Sequence, residues 1–198
     1  MTDRRQTMIT YRRLDQRDAR RYLSHLRRLD MQDRRSRFMG ELDDAACRQH
    51  VARIDWHRAI VIGCFVGSTL RGVAELHPEG DSTTDLAEAA FTVERAYQNH
   101  GIATALMQRL LTMARNRTYK HVYLLCLIDN VRIRKVARKF GASLKVDYGD
   151  ATADLTLMPP TPMTFLQESL EEGWSFAARL REAAKAGMST NGWMPQAA

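Results

Sequence analysis

Long apolar runs are missing from this chain of 198 residues, and none approaches the roughly 20 residues that a membrane-spanning helix needs. The arginine-rich start is not followed by the apolar segment of a secretory signal. Cysteine is scarce, and Cys47, Cys64 and Cys126 are odd in number and far apart, which argues against a disulfide framework. The sequence therefore predicts a cytoplasmic protein without a membrane partner, in which Cys64 and Cys126 are buried in strands.

Motifs for metals and nucleotides are also missing. The six histidines include no His-x-x-x-His pair and the cysteines form no close pair, so we expect no metal site. The sequence contains neither the Gly-x-x-x-x-Gly-Lys-Ser/Thr run of nucleoside triphosphatases nor the Gly-x-Gly-x-x-Gly run of dinucleotide enzymes. Enzyme classes built on these motifs are disfavoured.

Charge is plentiful but unevenly distributed. The chain carries a net charge of +7, yet residues 95–145 hold 11 basic groups and 1 acidic group, whereas residues 59–94 hold 1 basic and 6 acidic groups. Such a basic segment is expected to attract a ligand with several phosphates, and the acidic segment a cationic acceptor. The alternative is that these charges lie on solvated faces of helices and strands.

Apolar patterning predicts an α/β fold. With 44% hydrophobic residues, the chain is long enough for one sizeable core. We expect one domain over residues 1–158 and an extension over 159–198 that holds one helix and a mobile tail. Strands are predicted over 8–13, 59–66, 72–77, 86–93, 122–128, 142–148 and 152–157, and helices over 16–29, 43–54, 102–116, 132–140 and 165–186.

A turn containing Gly101 joins the fourth predicted strand to a helix at the start of the basic segment. The run 89–93 is apolar and favours a strand, and apolar residues recur at helical spacing from Leu106 to Ala114. A helix N-terminus has free backbone N–H groups and the positive end of the helix dipole, so residues 100–104 are candidates for binding phosphate. An ordinary strand-to-helix connection is the alternative.

Two segments carry a resemblance to a known family. Gln98, Gly101 and Ala103 match the form Gln/Arg-x-x-Gly-x-Gly/Ala, and the run 129–142 follows an apolar strand with Asn130 near its start. Over residues 8–157 the chain resembles the GNAT superfamily of acyl-CoA-dependent N-acyltransferases. The resemblance implies a mixed, mostly antiparallel sheet of about six to seven strands flanked by helices, with the fourth and fifth strands splayed apart.

The same resemblance implies acetyl-CoA as the cosubstrate, inserted between the splayed strands. The backbone of the fourth strand would then pair with the pantetheine arm, the turn would hold the pyrophosphate, and Asn130 would contact the pantetheine or tie the strands. Arg134 and Lys135 are the candidates for the adenosine phosphates. The cofactor-binding residues implied are Phe91, Thr92, Val93, Gln98, His100, Gly101, Ile102, Ala103, Thr104, Asn130 and Arg134.

Direct acetyl transfer to an amine needs a general base, because an alkylamine with a pKa of about 10 is almost wholly protonated at pH 7. Glu88, near the start of the fourth strand, is the first candidate. Glu75 on the third strand is the second candidate, and His77 is the third. A backbone amide near Val93 is the expected donor to the oxyanion.

One position departs from the family pattern. Many members carry a tyrosine seven residues after the asparagine, where it protonates the departing thiolate, but this chain has Ala137 there. Tyr97 and Tyr148 are expected to pack. The run 136–141 and the tripeptide 36–38 resemble the acetyltransferase domain of bacterial protein lysine acetyltransferases of the Pat type. A small-molecule amine and a protein lysine therefore both remain open as acceptors.

Two other functions and two arrangements of the last helix stay open. A catalytically silent acyl-CoA sensor would keep the turn without the base. A nucleic-acid module on the arginine-rich stretch 12–37 is weakly supported, because no aromatic platform or known motif accompanies it. The predicted C-terminal helix has an apolar face with Leu170 and Trp174, which would pack on its own domain or, in a homodimer, on a second subunit.

Overall fold

The computed structural model describes residues 8–40, 43–80, 85–147 and 149–190. Seven strands form one sheet in which the first four are neighbours in chain order and the last two exchange places at the far edge. Every neighbouring pair is antiparallel except the fourth and fifth strands, which confirms the predicted α/β fold. The strands are β1 (Ile9–Arg13), β2 (Ile60–Val66), β3 (Thr69–Pro78), β4 (Leu86–Val93), β5 (His121–Leu127), β6 (Ser143–Asp147) and β7 (Asp150–Thr156).

Helices cover both faces of the sheet. On one face, Tyr22, Leu26 and Cys47 pack against strand residues such as Phe65 and Val73. On the other face, apolar residues of the fourth and fifth helices pack against the centre of the sheet. The helices are α1 (Ala19–Arg28), α2 (Met31–Phe38), α3 (Asp44–Arg53), α4 (Ile102–Asn116), α5 (Val131–Lys139) and α6 (Pro162–Thr190), and single 3-10 turns cover Gln16–Asp18 and Arg95–Tyr97.

The short helix α2 was not predicted. Its sequence is polar, none of its residues is buried, and it therefore lacks the apolar period by which helices are recognised. The Asp30 side chain accepts a hydrogen bond from the Asp33 N–H at 2.7 Å and caps the helix start. This cap was the one local signal that the sequence carried.

Strands β4 and β5 separate after a short paired stretch. They pair in parallel only from Leu86 to Glu88 on β4 and from His121 to Tyr123 on β5, although both strands continue for several residues. The remaining backbone of β4 pairs with β3 on its other side. The predicted splay is thus present, and it leaves one edge of β4 open between residues 89 and 93.

The C-terminal helix α6 packs along β1 and against α4, and polar contacts join it to the end of α4. The Glu168 carboxylate accepts hydrogen bonds from Asn116 Nδ2 at 2.7 Å and Arg117 Nη1 at 2.8 Å. The Thr164 hydroxyl donates to Asn116 Oδ1 at 2.6 Å. The predicted apolar face points outward instead, with Trp174 71% exposed, so the expectation that this face packs on its own domain is wrong.

The helix also extends further than predicted, since it runs through residues 187–190 of the expected tail. The rest of that tail, 191–198, lies outside the described residues. Cys64 and Cys126 are buried in β2 and β5 as predicted, and Cys47 is buried in α3. Within the described part of the chain, no helix is both long and apolar enough to cross a membrane.

Candidate functional site

A cavity of about 780 Å³ opens where β4 and β5 separate. Its walls come from the end of β4, the turn after it, the first residues of α4, one face of α5 and the side of α2. The sheet alone determines its position, because the divergence after Glu88 removes the neighbour that β4 would otherwise have. The cavity therefore lies where the sequence predicted a phosphate-binding turn.

The N-terminus of α4 faces this cavity without a cap. Gly101 precedes the helix with a positive φ of 79°, and no side chain of the described residues caps the first turn. The Ala105 N–H donates to the Gly101 carbonyl at 2.9 Å, and it is the first N–H of the helix that has a backbone acceptor in this turn. The N–H groups of residues 102–104 and the positive end of the helix dipole are thus available to an anion.

The cavity brings together nine of the eleven predicted cofactor-binding residues, and two lie away from it. His100 is exposed, and its Nδ1 contacts the Gln98 carbonyl at 2.7 Å. Arg134 lies on another side of α5, with a buried Nε that has no hydrogen-bond partner in the described chain. The nine candidates that line the cavity are Phe91, Thr92, Val93, Gln98, Gly101, Ile102, Ala103, Thr104 and Asn130.

Two of these side chains also stabilise the backbone around the site. Gln98 Nε2 donates to the Val93 carbonyl at 2.9 Å and so fixes the turn against the end of β4. The Asn130 side chain accepts from the Ile133 N–H at 3.4 Å and caps α5. Their roles in the folded chain are therefore structural, whatever further contact they make with a ligand.

Basic residues that line the cavity come mainly from α5. Arg132, Lys135 and Lys139 recur at spacings of three and four residues, which places them on the helix face that lines the cavity. Lys135 was a sequence candidate, whereas Arg132 and Lys139 were missed. The helical spacing from Lys135 was the signal that would have found both.

The opposite wall was missed as a whole because α2 was not predicted. It contributes Gln32, Asp33, Ser36 and Arg37 to the cavity, and Leu29 precedes it. Besides the Asp30 cap, the resemblance of the tripeptide 36–38 to Pat-type enzymes was a sequence signal for this wall.

Glu75, the second candidate base, is buried beneath this wall. Its side chain is 1% exposed and forms an ion pair with Arg37. His50 Nε2 lies 3.1 Å from one carboxylate oxygen, and His77 Nε2 lies 3.6 Å from the other. Burial alone would raise the pKa of Glu75, but Arg37 and the two histidines hold it well below its usual range.

Glu88, the first candidate base, lies at the last paired position before the splay. It is half-buried and faces His77 on β3 and Tyr123 on β5. Side chains alternate between the two faces of a strand, so Glu88 lies on the same face of the sheet as Thr92, four residues further along β4. Neither Glu88 nor Glu75 lines the cavity, but Glu88 stands at the point from which the cavity opens.

Thr92 connects the cavity to a second buried network. Its hydroxyl lies 2.9 Å from His25 Nε2, and His25 Nδ1 lies 3.1 Å from Glu94. Glu94 also accepts from Arg28 at 2.8 Å and from Arg71 at 2.7 Å. Burial lowers the pKa of His25, so the ring is neutral, and the Nδ1–H that donates to Glu94 leaves Nε2 to accept from Thr92.

The position of the family's tyrosine is filled by Ala137, which is buried in α5. Tyr97 lines the cavity, and the Arg71 guanidinium lies 4.9 Å from its ring centre. Tyr148, which the sequence analysis considered as well, lies outside the described residues. Among the described residues, no group of three or more His, Cys, Asp or Glu side chains is arranged to hold a metal ion.

Comparison with solved structures shows which fold this is. The GNAT domain of S. lividans PAT superposes with a TM-score of 0.66 at 22% identity, covering 74% of this chain and 89% of that one. The putative acetyltransferase yncA from Salmonella typhimurium, solved with acetyl-CoA, gives 0.57 at 16% identity and covers 76% and 94%. A cAMP-binding acyltransferase from Mycobacterium smegmatis gives 0.56 at 22% identity, covering 86% of this chain and 50% of that protein.

No curated protein matches the sequence. The profile of the Acetyltransferase (GNAT) family matches residues 22–142, which span α1 to the end of the turn after α5. This match covers the cavity, the uncapped helix start and all three candidate bases, Glu88, Glu75 and His77. The chain therefore belongs to the GNAT family of acetyltransferases.

Proposed function

We propose that the chain transfers an acetyl group from acetyl-CoA, the acetyl donor of its family, to the nitrogen of a primary amine by direct attack. The observation that carries the proposal is the uncapped N-terminus of α4, which opens into a cavity at the β4–β5 splay. Such a helix start binds a pyrophosphate through backbone N–H groups. The structure of yncA contains acetyl-CoA, which supports the assignment of that ligand.

Three parts of the cavity fit three parts of coenzyme A. The open edge of β4 at residues 91–93 offers backbone groups to the amides of the pantetheine arm, as an added strand would. The N–H groups of residues 102–104 take the pyrophosphate. Arg132, Lys135 and Lys139 provide cations for the remaining phosphate charge. In this proposal Arg134 and His100 have no contact with the ligand.

Glu88 is the general base of the proposed reaction. It is half-buried at the base of the splay, and its carboxylate forms no ion pair with the described residues. It takes a proton from the ammonium form of the acceptor, directly or through water, and the free amine then attacks the thioester carbonyl. A β4 backbone N–H near Val93 stabilises the oxyanion of the tetrahedral intermediate.

Glu75 is less suited to this role. Its carboxylate is enclosed and paired with Arg37, His50 and His77. Its lowered pKa also makes it a weaker base than an ordinary carboxylate. We therefore assign Glu75 to the support of α2 and keep Glu88 as the catalytic candidate.

The tetrahedral intermediate collapses when the carbon–sulfur bond breaks and coenzyme A leaves as a thiolate. Ala137 offers no hydroxyl to protonate it. A thiol with a pKa of about 8.5 is a good leaving group, and the second proton, which the attacking nitrogen must still lose, passes through water to the thiolate. We assign this chemistry to the domain formed by residues 1–158 and regard residues 159–198 as an extension. Both a small-molecule amine and a protein lysine fit as acceptors.

A catalytically silent acyl-CoA sensor is the second candidate. The alanine at position 137 favours it, because a protein that only binds acyl-CoA needs no acid for the thiolate. Binding of acetyl-CoA without thiol release to any amine would support this second function.

Thiol release from acetyl-CoA, measured with small amines, amino acids, polyamines and lysine peptides, separates the two. We expect turnover with at least one class and a drop in kcat of about 10²–10⁴ in Glu88→Gln, with acetyl-CoA affinity unchanged. Glu79→Gln is the matched control, because the exposed Glu79 accepts a hydrogen bond from Tyr123, the β5 residue opposite Glu88, and has no role in the proposed transfer. Full turnover in Glu88→Gln would remove Glu88 from the mechanism.

A further inference from the structure

The C-terminal helix α6 is amphipathic, but its polar face contacts the domain and its apolar face is exposed, which is the reverse of the usual arrangement. Its polar residues face the domain: Thr164, Glu168, Glu171 and Ser175 recur at spacings of three and four residues on one side. Thr164, Glu168 and Glu171 bind residues 109–117 through hydrogen bonds and ion pairs, and α6 also packs along β1. The large apolar residues of α6 lie on the other side of the helix and remain at least half exposed.

These apolar side chains form a surface that is too large for a solitary monomer. Each is at least half exposed, and at about 150–250 Å² for a large side chain, seven of them expose on the order of 800 Å². The largest apolar patch of a typical monomer is about 300–600 Å², and a stable interface buries about 800 Å² on each partner. The residues are Met163, Phe165, Leu166, Leu170, Trp174, Phe176 and Leu180, with exposures of 50–71%.

Gly173 lies in the middle of this outward surface. A glycine inside a helix costs about 0.5–1 kcal/mol relative to alanine. A Cβ built on Gly173 would meet nothing within 4 Å, so the described chain gives no reason for the glycine. A second helix that crosses here would need the glycine for close contact, because the distance between two helix axes depends on the size of the side chains at their contact.

The charge of α6 argues for a protein partner. Across residues 162–190 four acidic side chains stand against three basic ones, and the stretch 162–178, which holds six of the seven apolar residues, contains three acidic side chains and no basic ones. Helices that bind anionic membranes carry lysine and arginine beside the apolar face. A surface that is apolar across its centre is complementary to itself, and a symmetric dimer brings the same patch of two subunits together.

We propose that two copies of this chain pair through the outward faces of α6, with the helices crossing at Gly173. The pairing leaves the cavity open, because α6 contacts α4 between Arg109 and Arg117, far from the N-terminus of α4. It is independent of the acetyl-transfer proposal.

Analytical ultracentrifugation of the full chain tests this pairing. At about 50 µM we expect a mass near twice the 22.7 kDa of one chain, and the double variant Leu170→Glu/Trp174→Glu should sediment as a monomer with an unchanged far-UV spectrum. Val146→Glu is the matched control, because Val146 is equally exposed but lies on the edge strand β6, and it should remain dimeric.

Gly173→Gln tests the crossing without adding charge. Glutamine is a good helix former, so the helix content should not fall, while the dissociation constant should rise at least tenfold. A wild-type chain that stays monomeric at 50 µM, or that binds lipid vesicles as a monomer, would overturn the proposal. So would a dimer that Val146→Glu dissociates but the double variant does not, or that Gly173→Gln leaves as tight as wild type.

Discussion

At the scale of single residues, the carboxylates on the α1–α3 face of the sheet divide by what surrounds them. Glu75 and Glu94 are buried and each contacts several cationic or imidazole groups. Glu88 is half-buried and lies between His77 and Tyr123 at the start of the splay. Buried ion pairs hold a carboxylate in its charged form, whereas the general base of the proposed reaction must take up a proton and release it again. This difference separates the structural carboxylates from the catalytic candidate.

Replacement of Glu75 tests its structural role. In Glu75→Gln the Arg37 guanidinium loses its countercharge inside the protein, and we expect the free energy of unfolding to fall by about 3 kcal/mol. Urea unfolding measures this loss. The matched control is Asp44→Asn, which breaks the exposed pair with Arg27 and should cost far less. Equal losses in the two variants would contradict the assignment.

The buried His25 predicts how stability depends on pH. Burial lowers its pKa in the folded chain below the usual 6.5, although Glu94 opposes this shift and the nearby Arg28 and Arg71 add to it. The unfolded chain therefore binds the proton first as pH falls, and stability should be complete above about pH 6.5 and decline below it. Glu75 and Glu94 have lowered pKa values, so their contributions persist until pH falls below about 4.5.

The expected slope between pH 6.5 and 5 is up to about 1.4 kcal/mol per pH unit for this one proton. Urea unfolding at several pH values should show a steeper decline for the wild type than for His25→Gln. Parallel declines would show that His25 is not protonated on unfolding.

At the scale of elements, the sequence predicted what depends on local pattern. The strand–turn–helix unit at residues 89–114 was predictable because the apolar run, the glycine and the helical period follow one another along the chain. The α2 helix was not, because its polar sequence lacks an apolar face and its contacts to Glu75 and Arg95 come from distant residues. The apolar face of α6 was recognised correctly, but the sequence does not show that polar contacts to Asn116 and Arg117 would turn it outward.

The turn before α4 can be tested against a matched glycine. Gly101 and Gly141 both have positive φ, 79° and 86°, and both have open space at the Cβ position. Alanine at either position should cost about 1–2 kcal/mol of backbone strain. Only Gly101→Ala adds a methyl group beside the anion site, so acetyl-CoA affinity should fall at least tenfold there and stay unchanged in Gly141→Ala. Equal affinities in the two variants would move the pyrophosphate away from α4.

At the scale of the whole molecule, the basic charge divides into two sets. Many arginine side chains of the stretch 12–37 form ion pairs with carboxylates of the fold. This pairing removes the main support for a nucleic-acid surface. These pairs include Arg12–Asp18, Arg17–Asp15, Arg21–Asp18, Arg27–Asp44, Arg28–Glu94 and Arg37–Glu75. The cations of α5 instead line the cavity, where the sequence had indicated a ligand with several phosphates. The sequence could give the charge of each segment but not which charges the fold would pair.

The central claim is that the cavity at the β4–β5 splay binds acetyl-CoA through the start of α4 and the cations of α5. Calorimetric titration of acetyl-CoA into the full chain tests it most directly. We expect one molecule bound per chain, with an affinity that falls roughly threefold or more between 50 and 500 mM NaCl as the phosphate contacts to Arg132, Lys135 and Lys139 are screened. No heat of binding at millimolar acetyl-CoA, or an affinity indifferent to salt, would contradict it.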